Sequence, residues 1–185
     1  MMKEKPAQPF PWKAFGLFIT PIFLMNLMLP AHPQSSLDIA IDQFLDDQLF
    51  GVIGFWSSLF PFSSKVTANY VAIFGPLLAA TSTYYAFTKK FESAKFTQLT
   101  LRRYLGVLAG GVMLPALFVW FFYLTSTDLG IGKGRYGNLF GSNVIFVSIP
   151  NVTLSLFTFV VAPFVVHRCL YYIPRHLIEK WLATR

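Results

Sequence analysis

The side chains that could catalyse a reaction or bind a metal are few in this sequence, and their spacing matches no catalytic or metal-binding pattern. The three histidines, His32, His167 and His176, are far apart in the chain, and the single cysteine is Cys169. A metal or haem site needs a second ligand at a matching position, and none accompanies His167. Serine and threonine are plentiful, but the apolar stretches hold no base to activate a hydroxyl. We therefore expect no enzyme, no cofactor and no metal site.

A glycine-rich run over residues 130–141 superficially suggests a phosphate-binding loop. It lacks the Gly-Lys-Ser/Thr sequence of such loops, and it follows an apolar stretch of helical length rather than a strand. The run is more typical of a flexible turn. Its Lys133 and Arg135 are candidates for contact with anionic headgroups or with a partner protein. We expect no nucleic-acid partner.

Small residues recur at helical spacing inside the apolar stretches. Gly106 and Gly110 form a Gly-x-x-x-Gly pair that Gly111 extends, and Gly75 with Ala79 forms a similar pair earlier in the chain. Small residues allow the backbones of two helices to approach closely in lipid, where the hydrophobic effect does not drive association. The pattern predicts either internal packing of the second apolar helix on the third or a face that binds a partner.

Four asparagines fall within the apolar stretches; Asn69 and Asn143 lie near the predicted outer ends, and Asn26 and Asn151 are the ones expected to need a partner on another helix. A neutral amide in lipid favours a hydrogen bond to a neighbouring helix, worth on the order of 0.6 kcal/mol. Bonds of this size can select the face on which a partner packs, but they do not support catalysis. We therefore treat Asn26 and Asn151 as candidates for helix packing or partner binding.

The composition indicates what these residues are embedded in. The chain has 185 residues, of which 55% are hydrophobic and 12% are charged, against roughly 25% charged in a soluble domain. All of its Lys, Arg, Asp and Glu residues lie outside four stretches, residues 14–31, 66–88, 104–127 and 139–166. About 20 apolar residues in a helix cross a hydrocarbon core of about 30 Å. The sequence predicts an all-α polytopic membrane protein with four transmembrane helices in a single domain.

The charged residues also predict the orientation of the chain. Twelve of the fifteen Lys and Arg residues lie in residues 1–13, 89–103 and 167–185, and the remaining three lie on the other side. Basic residues collect on the cytoplasmic side of a membrane, so we expect both termini in the cytoplasm. The first apolar stretch also resembles a signal peptide, but its cleavage region is poor, and we expect an uncleaved anchor.

Residues 36–60 in the first outer loop carry a helical pattern without the length of a further span. Asp38, Asp42 and Asp46 repeat every four residues, and Ser35 with Asp38 fits a capping box. A fifth span at residues 48–64 would reverse the charge bias. We therefore predict one or two amphipathic helices in the outer membrane interface, with Trp56 at the headgroup level. The three aspartates and Trp56 are outer-loop candidates for contact with a partner.

The layout resembles that of the immunity proteins of pore-forming colicins of the A, B and N type. The first outer loop is long, the loop at residues 89–103 is basic, and the second outer loop is short. The sequence Ser64-Lys65-Val66 leads into the second helix, and a Gly-Lys-Gly-Arg turn leads to Gly141-Ser142-Asn143. The resemblance implies a protein of the bacterial inner membrane with four helices. It also implies that the protein binds the membrane-inserted helices of a pore-forming toxin and blocks the channel.

Other functions fit the same absence of catalytic groups. The main alternative is an accessory subunit of a larger bacterial membrane complex, such as a respiratory, secretion or conjugation complex. A second copy of the chain is a further candidate partner beside lipid and another membrane protein. A transporter or channel is disfavoured because the predicted spans hold no ionisable residue and the chain shows no internal repeat.

Overall fold

A computed structural model describes residues 12–88, 100–131, 135–175, 178 and 182 of the chain. Over these ranges the protein is mostly helical, with two strands of three residues each. In chain order the elements are α1 (Trp12–Met28), α2 (Ser36–Gln48), β1 (Gly54–Trp56), α3 (Pro61–Thr88), α4 (Leu101–Leu124), β2 (Ser126–Asp128), α5 (Arg135–Ser142) and α6 (Val144–Arg175). Helix α4 ends in a π-helical turn, and α6 contains two such turns.

Three of the described helices, α3, α4 and α6, are long and apolar enough to cross a membrane. Helix α1 is apolar but shorter, with 17 residues. The predicted boundaries differ most for the last helix, because residues 139–142 belong to α5. Asn143 separates the two helices, and its side chain accepts a hydrogen bond of 2.9 Å from the backbone N–H of Ile145 at the start of α6.

Helix α6 lies at the centre of the bundle and packs against α1, α3 and α4. Glycines on two neighbours make room for its side chains: Gly75 of α3 lies under Phe159, and Gly111 of α4 lies under Val165. A β-carbon at either glycine would overlap these side chains. Of the small residues expected to pack α3 on α4, Gly75 and Gly111 instead contact side chains of α6.

Aromatic side chains fill the core between α3, α4, α6 and β1. The rings of Phe118 and Phe122 stack with centroids 4.9 Å apart, and Phe159 meets Phe118 edge-on at 5.0 Å. Phe122 also lies against Gly54, whose φ of 63° is unfavourable for residues with a side chain. The core thus brings β1 into contact with the end of α4, which lies far away in the sequence.

The segment predicted as helical over residues 36–60 is helical only as far as Gln48. The capping box at its start is confirmed, because Ser35 and Asp38 exchange side-chain to backbone hydrogen bonds. The helix stops where the N–H of Gly51 donates to the carbonyl of Leu45 at 2.8 Å, with Gly51 at a φ of 59°. The prediction of a helix over residues 49–60 is wrong, because this part of the chain forms a loop and β1.

Strand β1 pairs in parallel with β2, and Gly54, Phe55 and Trp56 lie opposite Ser126, Thr127 and Asp128. Strand β1 comes from the first predicted outer loop, whereas β2 takes Ser126 and Thr127 from the end of the predicted third span and Asp128 from the second outer loop. Neither strand was predicted, because three residues are too few to show an alternating pattern. Their pairing joins the two loops into one unit. We refer to the described residues of 29–60 and 126–142 as the cap.

Candidate functional site

The acidic stripe of α2 is directed toward the start of α3. Lys65 is buried, with 7% of its surface exposed, and its Nζ lies 2.6 Å from Asp42 Oδ1 and 2.9 Å from Asp46 Oδ2. A buried cation needs such compensation, since an unpaired charge is costly to remove from water. Two of the three candidate aspartates therefore bind α2 to α3 within the chain.

Asp38, the first aspartate of the stripe, has a different role. Its carboxylate accepts hydrogen bonds from the backbone N–H groups of Ser35 at 2.9 Å and Gln34 at 3.1 Å. These bonds, with the one between the Ser35 hydroxyl and Asp38, lower the pKa of the Asp38 carboxyl from its ordinary value. Asp38 thus stabilises the start of α2.

Asn69, one turn after Lys65, holds the loop that follows α2. Its Nδ2 donates to the carbonyl of Gly51 at 2.8 Å, and its Oδ1 accepts from the N–H of Phe50 at 3.2 Å. The Asn69 side chain thereby satisfies backbone hydrogen-bonding groups of a loop that pairs with no strand at this point. Neither Lys65 nor Asn69 stands out as a site residue in the sequence, because each gains its partners only when α2 lies against α3.

Polar groups also join the two loops of the cap beyond the strand pairing. Asp128 Oδ1 accepts from the N–H groups of Ser58 at 2.9 Å and Gly130 at 2.7 Å. The hydroxyl of Ser57 donates to the carbonyl of Gly141 at 2.8 Å. Trp56 lies in β1, and its indole Nε1 is buried without a hydrogen-bond partner among the described residues. The cap is therefore a connected structure rather than two independent loops.

A layer of neutral polar side chains lies beneath the cap, where α1, α6 and β1 meet. Asn26 Nδ2 donates to the hydroxyl of Ser148 at 2.8 Å, which joins α1 to α6. Asn151 Nδ2 donates to the carbonyl of Phe55 in β1 at 3.1 Å. Both asparagines are buried, and within the described ranges their Oδ1 atoms have no donor. These bonds fix the positions of the elements relative to one another without any ionised group.

The remaining small-residue candidates divide into a buried set and an open set. Gly75 and Gly111 are buried under α6, and Ala79 packs against the core. Gly106 and Gly110 differ, since a β-carbon at either position would have no described atom within 4 Å outside its own helix. The Gly-x-x-x-Gly pair is therefore not used for packing by the described part of the chain.

Helix α4 as a whole is weakly covered. The buried share of the most apolar 18-residue stretch is 17% in α4, 33% in α3 and 39% in α6. Large apolar side chains along it are exposed, namely Leu105, Val112, Met113, Leu114, Leu117, Trp120 and Phe121. A surface of this kind on one helix indicates contact with lipid or with another protein.

Two basic candidates remain. Arg135 begins α5 in the cap, and Lys133 lies outside the described residues. Within the described ranges no group of three or more His, Cys, Asp or Glu side chains could hold a metal ion. Comparisons with protein-family models, curated proteins and solved structures gave no significant match.

Proposed function

We propose that this protein is an immunity protein of the bacterial inner membrane, which binds the membrane-inserted helices of a pore-forming bacteriocin and blocks its channel. In this proposal α1, α3, α4 and α6 span the membrane, and both termini lie in the cytoplasm. The 17 residues of α1 extend about 26 Å at 1.5 Å per residue, which approaches the thickness of a hydrocarbon core of about 30 Å. The excess of basic residues at the opposite end from the cap supports this orientation.

The observation that carries the proposal is the open face of α4 around Gly106 and Gly110. Helices associate in lipid through close backbone contact and interhelical hydrogen bonds, and small residues permit that contact. Side chains of α6 already pack against Gly75 of α3 and Gly111 of α4. Gly106 and Gly110 offer the same kind of surface to a helix from outside the chain, such as one from an inserted toxin.

The cap supports the proposal in a second way. Asp42, Asp46 and Asp128 are occupied by partners within the chain, whereas Leu37 and Phe44 of α2 are exposed. An amphipathic helix with its acidic side toward the protein and apolar side chains outward fits the membrane interface. We infer that α2 lies in the membrane interface. A partner in the membrane would then contact the apolar faces of the spanning helices.

The proposal is tested by expressing the chain in toxin-sensitive bacteria and challenging them with a panel of pore-forming bacteriocins. We expect survival with at least one toxin and loss of most of that protection in Gly110→Leu, because a leucine keeps a partner helix at a distance. Gly16→Leu is the matched control, since Gly16 of α1 is equally open. Both variants must accumulate in the membrane to the same level. Unchanged killing by every toxin would refute the proposal.

An accessory subunit of a larger membrane complex would use the same open face of α4. Blue-native electrophoresis of unchallenged cells separates the two functions. The immunity function predicts a small species that increases in mass only when a toxin is present. A stable large complex without toxin, disrupted by Gly110→Leu, would favour the subunit instead.

A further inference from the structure

An open groove lies at the end of the bundle opposite the cap. It is bounded by the first residue of α1, the first part of α4 and the second half of α6. Its volume is about 510 Å³, which is within the range of about 300–1,000 Å³ for clefts that bind small molecules. Its walls are almost entirely apolar, and Arg168 is its charged member. Trp12, Val107, Val161 and Val165 are among the residues that line it. It is separate from the face around Gly106 and Gly110, which do not line it.

The dimensions of the groove suit a single acyl chain. It extends along α6 from Leu156 to Ile173, a distance of about 25 Å at 1.5 Å per residue. One leaflet contributes about half of a hydrocarbon core of about 30 Å, so a chain from one leaflet fits within this length. Arg168 is 24 residues from the start of α6 at Val144, or about 36 Å along the helix. This distance places Arg168 at headgroup depth when α6 spans the core.

The described charged residues around the groove are all basic. The described residues at this end of the bundle include Lys13, Arg102, Arg103, Arg168 and Arg175. All the described acidic residues lie in the cap at the other end, namely Asp38, Asp42, Asp46, Asp47 and Asp128. A phosphate that carries a net negative charge therefore meets only attractive charges from the described residues near the groove.

We propose that the groove binds one anionic phospholipid, with an acyl chain between α1, α4 and α6 and the headgroup beside Arg168. The apolar walls contact the acyl chain of the lipid, and the basic residues around the groove favour an anionic headgroup. This inference rests on the membrane placement in the proposed function but not on recognition of a toxin. The lipid is a bound component of the bundle that fills a gap between α4 and the rest of the protein.

Native mass spectrometry of the protein released from nanodiscs of equal phosphatidylglycerol and phosphatidylethanolamine tests the proposal. We expect one retained phosphatidylglycerol in excess over phosphatidylethanolamine. Val161→Trp fills the groove and is expected to reduce retention about tenfold. Val112→Trp places the same side chain on the exposed surface of α4, outside the groove, and is expected to retain the lipid.

A second variant probes the headgroup without filling the groove. Arg168→Gln is expected to reduce the preference for phosphatidylglycerol about fivefold, which corresponds to about 1 kcal/mol for one basic residue near a membrane surface. Arg168→Lys, which keeps the positive charge at the same position, is the control and is expected to keep the preference. Equal retention of the two lipids by the unmodified protein, or equal retention by the two tryptophan variants, would overturn the proposal. Neither result bears on protection from a toxin, which the challenge assay measures separately.

Discussion

Lys65 Nζ lies 2.6 Å from Asp42 Oδ1, so that a buried cation at the start of α3 is held by a carboxylate of α2. Asp46 completes the arrangement one turn later at 2.9 Å. This ion pair joins the cap to the start of α3, where Lys65 is buried. The position of α2 on the bundle therefore depends on this ion pair as well as on apolar packing.

Replacing Lys65 is expected to weaken this join. Lys65→Met removes the cation that Asp42 and Asp46 share, and we expect the free energy of unfolding to fall by about 2 kcal/mol, the scale of hydrogen bonds to charged groups. Denaturant unfolding in detergent micelles measures the loss. Asp42→Asn should cost less in the Lys65→Met background than alone, because its partner is already gone. Equal costs in both backgrounds would show that the pair does not stabilise the protein.

The glycines of the bundle should differ in their tolerance of larger residues. Gly75→Leu would force Phe159 away from α3, and overpacking of this kind costs about 1–3 kcal/mol. Gly106→Leu should leave the melting temperature almost unchanged, because no described atom outside α4 lies near that position. Thermal unfolding of the two variants in the same detergent makes the comparison. Similar losses would contradict the assigned packing.

The bond between Asn26 and Ser148 should contribute little to stability. Ser148→Ala removes the acceptor on α6, and we expect a loss of about 0.6 kcal/mol, typical of interhelical hydrogen bonds in membranes. Ser142→Ala, at an exposed position of α5, provides the reference for serine replacement. A loss of several kcal/mol would show that the polar layer is a major source of stability rather than of specific alignment.

The start of α2 should depend on pH through Asp38. Hydrogen bonds from Ser35 and Gln34 lower the pKa of its carboxyl, so the charged form stabilises the folded helix start above the ordinary carboxyl pKa of about 3.9. This stabilisation is lost as the pH falls through the lowered value. A carboxyl-carbon NMR titration should place the Asp38 midpoint below the ordinary value. Ser35→Ala should move it upward, and an unchanged midpoint would contradict the capping box.

The sequence alone was sufficient to predict where the apolar helices lie. The cost of placing a charge in lipid excludes Lys, Arg, Asp and Glu from long stretches. A described apolar helix covers most of each of the four stretches, although residues 126–127 belong to β2 and residues 139–142 belong to α5. The capping box of α2 was also predictable, because Ser35 and Asp38 interact over three residues. These features depend on local composition and spacing, which a single sequence contains.

The tertiary structure decided how these helices are used. Periodicity does not tell Gly75, which lies under Phe159, from Gly106, which is open, because small residues suit both an internal neighbour and a partner. It also does not show that residues 54–56 leave the helical pattern and pair with residues 72 positions later in the chain. Such contacts depend on which distant segments meet in space. The physical reason is that packing and long-range pairing are properties of two surfaces, whereas the sequence pattern describes one surface at a time.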